Sequence, residues 1–180
     1  MTSKIKDKIY QLITQADNFE FAYDLNSNFD SIKERIIDEF WEDVISSLKD
    51  RYSELIIKEE SEEIKLSSKK FKGISFFLGL YDYEDFQQGL CVEYNGTKKM
   101  QKIIEDEFID LFDDDMLDGK DSVFWFYETK NENFQELASL KKILPENRKT
   151  LIDKYISDFD RMYNTYLGKI IDFSQIYLSK

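Results

Sequence analysis

Apolar residues recur at a period of 3.6 in four stretches of this chain. The segments between them are too short and too rich in aromatic and β-branched residues for helices. The first stripe is Ile5, Ile9, Leu12, Ile13 and Ala16. The second runs from Ile32 through Ile36, Ile37, Phe40, Trp41, Val44 and Ile45 to Leu48, and Ser31-Ile32-Lys33-Glu34 fits a capping box that predicts its start. The third is Met100, Ile103, Ile104, Phe108, Leu111 and Phe112. The fourth spans Leu151 to Leu167, with Pro145 ahead of it and Gly168 just past it, which predicts a helix that stops at Gly168. A short helix is expected over 133–143. Strands are predicted over 71–81, 89–94 and 122–127, with an edge hairpin over 55–58 and 63–66 and a further short strand over 19–25. The tail 170–178 fits strand or helix equally. Strands grouped between helices, rather than alternating with them, predict an α+β fold: a mainly antiparallel sheet of about four to five strands packed by helices, with a long C-terminal helix. One domain over 1–180 is expected, with the N-terminal helix, 3–17, and the tail, 170–180, at its periphery.

The 180 residues include one cysteine, one proline and no histidine. Without imidazole there is no Ser-His-Asp or Cys-His catalysis and no histidine metal ligand. Cys91 alone allows neither an internal disulfide nor a multi-thiolate metal site. Aromatic residues make up 16% of the chain, enough to build a core, so disorder is not expected. The first eight residues lead into an amphipathic stretch, and no apolar run approaches the roughly 18 residues that span a bilayer. The expected setting is therefore cytoplasmic, with no membrane contact and with Cys91 a small, buried, reduced hydrophobe. No glycine-rich phosphate loop is present, and neither a cofactor nor a metal is expected.

Charge is concentrated. The chain carries 37 acidic and 25 basic residues, a formal −12, and nine acids face one base, Lys120, between Glu105 and Asp121. A second acidic face, with Asp30, Glu34, Asp38, Glu39, Glu42 and Asp43, surrounds the second helix. Within the first run Asp106, Asp110, Asp113, Asp114, Asp115 and Asp118 are candidate partner-binding residues. Tyr81 and Tyr83, set among Asp82, Glu84 and Asp85, are candidate aromatic anchors of an exposed acidic patch. Such a surface steers a basic protein partner, such as a nuclease or another nucleic-acid-binding effector, rather than nucleic acid itself. The same run also works as a solvated face that keeps the chain soluble. It is not a calcium loop: placing Gly119 at the sixth position puts Met116 at the third and Trp125 at the twelfth.

One enzymatic alternative needs no histidine. In PD-(D/E)xK nucleases two acids hold Mg²⁺ and a nearby lysine positions water, and Glu128-Thr129-Lys130 with Asp118 upstream offers that set. About four acid-x-Lys triplets are expected by chance in this composition, and three occur. Asp38-Glu39-Phe40-Trp41-Glu42-Asp43-Val44, Gly73-Ile74-Ser75-Phe76-Phe77, Gly89-Leu90 and Phe124-Trp125-Phe126-Tyr127 together resemble the α+β region that follows the catalytic domain in some bacterial PD-(D/E)xK-family proteins, over residues 35–170. The resemblance implies a stand-alone accessory or recognition module and carries over no catalytic residue. The expected function is thus a non-enzymatic acidic binding protein that inhibits or modulates a basic partner, as a toxin's immunity protein or a phage inhibitor of host defence does. A Mg²⁺ nuclease and a structural assembly subunit are the alternatives.

Overall fold

Among the residues described by the computed structural model, 3–60, 63–108, 116–119 and 122–178, six strands form one antiparallel sheet. They are β1 (Ile56–Glu59), β2 (Glu63–Ser67), β3 (Ile74–Tyr81), β4 (Asp85–Glu93), β5 (Met116–Gly119) and β6 (Val123–Asn131), in the spatial order β1-β2-β3-β4-β6-β5. The predicted edge hairpin is β1–β2, paired from Ile56↔Ser67 to Glu59↔Ile64. A sixth strand, β5, forms at the far edge within the acidic run, with Leu117 opposite Trp125. The helices are α1 (Ser3–Ile13), α2 (Ala16–Arg51), α3 (Lys98–Phe108), α4 (Leu137–Leu140) with a 3₁₀ turn Lys141–Ile143, and the long α5 (Arg148–Phe173), which ends in a π turn, Ser174–Leu178. The fold is α+β, as the segregated order requires.

Alternation along the strands sends one set of side chains to the helices. Ile74, Phe76, Leu78 and Leu80 of β3, Phe86, Leu90 and Val92 of β4, and Phe124 and Phe126 of β6 join one buried cluster with Phe40, Val44 and Leu48 of α2 and Tyr155, Ile156 and Phe159 of α5. Aromatic rings tie the layers together: Phe86 stacks on Tyr155 with centroids 3.8 Å apart, and Phe76 meets Phe159 edge-on at 5.9 Å. Each such pair contributes about 0.5–1.5 kcal/mol beyond the area it buries. Arg148, at the start of α5, reaches Asp43 at 2.7 Å and Glu39 at 3.6 Å, so part of the acidic face of α2 is neutralised inside the fold.

Two helix boundaries differ from the sequence expectation. Residues 19–25 are not a strand; they belong to α2, which runs unbroken from Ala16 through Ser31, so the apparent capping box is interior. No glycine or proline interrupts 16–30, and extending an existing helix adds one hydrogen bond per residue ordered, which outweighs the local β preference of Phe and Tyr. Similarly, α5 continues through Gly168 to Phe173. Ile170 is fully buried and Phe173 nearly so, at about 1.5–3 kcal/mol per side chain. That outweighs the roughly 1 kcal/mol that a glycine costs inside a helix.

Candidate partner-binding surface

Among the described residues the helices pack on one face of the sheet. The other carries a second, smaller cluster made of strand residues alone: Phe77, Cys91 and Tyr127, with Val123 and Trp125 packed against them. The register explains the grouping. Phe77 lies opposite Gly89, which lies opposite Tyr127, while Ser75, Cys91 and Trp125 form the next row. With no side chain on Gly89, the rings on either side close over it, and Phe77 meets Trp125 edge-on with centroids 4.8 Å apart. A Cβ on Gly89 would lie 1.9 Å from the carbonyl oxygen of Phe126, so only glycine allows this approach of β4 to β6. Gly79 plays a similar part on β3, because the ring of Tyr81 folds into the space its missing side chain leaves.

Together Phe77, Tyr81, Gln87, Trp125 and Tyr127 line a cleft of about 290 Å³ on this open face. One wall is held by a charged chain of contacts. Tyr81 Oη donates to Glu63 Oε2 at 2.8 Å, Glu63 Oε1 lies 2.7 Å from Lys65 Nζ, and Lys65 Nζ sits 4.9 Å from the centre of the Trp125 ring. Burial works to lower the Lys65 pKa, but the hydrogen bond and charge of Glu63 outweigh it and hold the ammonium above its ordinary value. Beneath, burial pushes the Cys91 thiol up to about 12, so it stays neutral. At the end of the cleft the β3–β4 turn exposes Asp82, Glu84 and Asp85, with Asp82 and Tyr83 in the left-handed region at φ 51° and 59°. The cleft thus has aromatic walls, the exposed acids of the turn follow Tyr81 at its end, and one of its walls, the Trp125 indole, already carries a cation of the chain itself, Lys65. No protein-family model, curated protein or solved structure gives a significant match to this chain.

The structure redistributes the residues predicted for partner contact. Tyr81 lines the cleft, but Tyr83 packs against the main core on the helix side, so the two tyrosines do not form one exposed patch; only the acids between and beside them are exposed. Asp106 is exposed on α3. Asp110, Asp113, Asp114 and Asp115 lie outside the described residues, and of Asp118 only the backbone is described, opposite Phe124 in the β5–β6 ladder.

Of the nuclease set, Glu128 and Lys130 lie together on β6, and Asp118 is described by its backbone alone. Glu128 is four residues beyond Phe124 on β6, roughly 13 Å of strand from the rung of Asp118. Gln88 donates to Glu128, and Lys130 is hydrogen-bonded to Asp158 of α5 and lies 3.8 Å from Glu128. These groups close on one another between sheet and helix. Among the described residues no group of three or more Asp, Glu or Cys could hold a metal ion, and no helix is long and apolar enough to cross a membrane.

Sequence reasoning did not group Phe77, Gln87, Trp125 and Tyr127, because a cleft on a sheet face is made by register across strands that are distant in the chain. A local signal was present: Phe124-Trp125-Phe126-Tyr127 puts rings on both faces of one strand, so one set had to find something other than helices to pack on. A larger groove of about 690 Å³, where Tyr94, Met100 and Ile103 face Tyr177 and Leu178, carries one acid, Glu93, and one base, Lys99, and so has no preference of charge.

Proposed function

We propose that the chain is a non-enzymatic binding protein that modulates or inhibits a basic protein partner, and that a lysine or arginine of that partner lodges in the open-face cleft. The observation that carries this reading is the internal one: Lys65 is held over Trp125 by Glu63 and its ammonium is stabilised there. A second cation entering between Tyr81 and Tyr127 would meet the rings of those tyrosines and the carboxylates of the β3–β4 turn, and cation–π contact is worth about 0.5–2 kcal/mol per site. The formal charge of −12 adds long-range attraction for a basic surface. An immunity protein for a nucleic-acid-cleaving toxin and a phage inhibitor of a nucleic-acid-guided or restriction defence both work in this manner. In both, the inhibited site is one built for phosphate.

Titration calorimetry with a hexa-arginine peptide tests the cleft. Any strongly acidic protein attracts polyarginine, so the decisive comparison is with Trp125→Ala. That change should weaken binding about tenfold, while Asp106→Asn on α3 should change it little. Equal affinity for wild type and Trp125→Ala would remove the cleft from the function.

A further inference from the structure

Between residues 3 and 35 two helices carry apolar stripes that the other described residues leave exposed, and we propose that a second copy of this chain covers them. In α2 the first buried side chain among the described residues is Ile37. The 20 residues from Ala16 to Arg35 therefore run roughly 30 Å along the helix ahead of its core-packed part, at about 1.5 Å of rise per residue. Along this projection Phe21, Leu25 and Phe29 share one helix face and are 69%, 44% and 45% exposed. On α1, Ile5, Ile9 and Leu12 likewise share a face and are 48%, 39% and 61% exposed. α1 meets α2 across the Thr14–Gln15 turn, where the Asn18 side-chain amide donates to the Leu12 carbonyl at 3.0 Å. An 11-residue helix with an open apolar stripe is marginal in water without a partner.

Charge identifies the partner. Lys4 and Lys8 immediately precede Ile5 and Ile9, so they line one edge of the α1 stripe, and α1 carries a net +2 from Lys4, Lys6 and Lys8 against Asp7. Glu20 and Asp24 immediately precede Phe21 and Leu25 and line the same edge of the α2 stripe. From Ala16 to Ile32 there are four acids, Asp17, Glu20, Asp24 and Asp30, and no base. When α1 of one copy lies along α2 of another, a lysine row meets a carboxylate row beside two apolar stripes, and a two-fold axis repeats the contact. The two stripes, with Ile32 at the end of the second, offer on the order of 700 Å² of apolar surface per copy at about 200 Å² per large side chain. A standard interface takes about 800 Å² per partner, polar rim included. A membrane surface fits poorly, because the acidic edge of α2 would face anionic headgroups.

Sedimentation equilibrium from about 2 to about 200 µM reads this directly. The wild-type chain should be dimeric across most of that range. Leu12→Glu with Phe21→Glu should weaken the dimer at least about 100-fold while leaving the thermal midpoint of the sheet-and-helix core within about 3 °C. Lys4→Glu with Lys8→Glu, and separately Glu20→Lys with Asp24→Lys, should each give monomers, and mixing these two variants should restore a dimer. A wild type that stays monomeric throughout, with or without binding to vesicles of anionic phospholipid, overturns the proposal. So does a dimer that survives the glutamate substitutions, or charge variants that fail to pair when mixed. None of these outcomes depends on the open-face cleft.

Discussion

Replacing Gly168 by alanine should stabilise the chain by about 0.8–1 kcal/mol. Gly168 is exposed and lies inside α5, with five further helical residues after it. A Cβ built there meets no atom within 4 Å, so the new methyl group adds no clash and little burial. What remains is the backbone term: alanine has fewer conformations to lose on folding and a better helix propensity by nearly 1 kcal/mol. For a chain of this length that gain corresponds to roughly 2–4 °C in thermal midpoint. Urea unfolding followed by the fluorescence of Trp41 and Trp125 and by far-ultraviolet circular dichroism should show a higher midpoint with an unchanged slope. The sign is the test. If the helix ended at Gly168 with that residue in a left-handed cap, as its place beyond the Leu151–Leu167 stripe predicts, alanine would be strained there and stability would fall by a comparable amount. An unchanged or lowered midpoint therefore refutes the continuation of α5 and, with it, the burial of Ile170 and Phe173 as the reason for it.

Two further predictions concern the core and its pH response. Tyr52 and Arg51, at the end of α2, both donate to Asp160 of α5, Arg51 Nε at 2.6 Å; Tyr52→Phe should cost about 1–2 kcal/mol. A double-mutant cycle with Asp160→Asn should give a coupling near 1 kcal/mol, and a value indistinguishable from zero would mean that the hydroxyl does not join the two helices. For Cys91, the folded thiol is raised to about 12 by burial, whereas an unfolded cysteine ionises near 8.5. The protonated thiol is thus favoured by folding, the associated stability is complete below about pH 8.5, and it is lost as pH rises from there, by up to about 1.4 kcal/mol per pH unit. Buried Tyr52 and Tyr155, whose hydroxyl pKa values are also raised chiefly by burial, add the same trend above about pH 10. Between pH 8.5 and 10 Cys91→Ala should flatten the decline, and a Cys91 thiol that reacts at pH 8 with a dithiobenzoate reagent in the native protein would contradict its burial.

Much of the architecture was legible residue by residue. The Ile74, Phe76, Leu78, Leu80 alternation names the core face of β3, the stripe from Ile36 to Leu48 names the buried part of α2, and the charges of the hairpin at 55–66 predict an edge, where β1 lies. The errors came where two local signals competed. Phe19 to Leu25 has the composition of a strand and the spacing of a helix, and the neighbouring helix decided in favour of propagation. Gly168 has the position of a cap, and the burial available to Ile170 and Phe173 carried the helix past it. Tyr81 and Tyr83 looked equivalent in a run of acids, yet the turn that joins β3 to β4 sends one to each side of the sheet.

The candidate site divides in the same way. From sequence alone came the exclusion of imidazole and multi-thiolate chemistry, the strongly acidic balance and the α+β class, because these depend on which residues are present and on periods within one segment. Only tertiary structure decided that Lys65, Phe77, Gln87 and Trp125 share a surface, that Lys130 is occupied by Asp158 rather than set beside Asp118, and that the stripes of α1 and the first half of α2 remain open. Those facts depend on strand register and on which helix reaches which face, and no window of neighbouring residues contains that information.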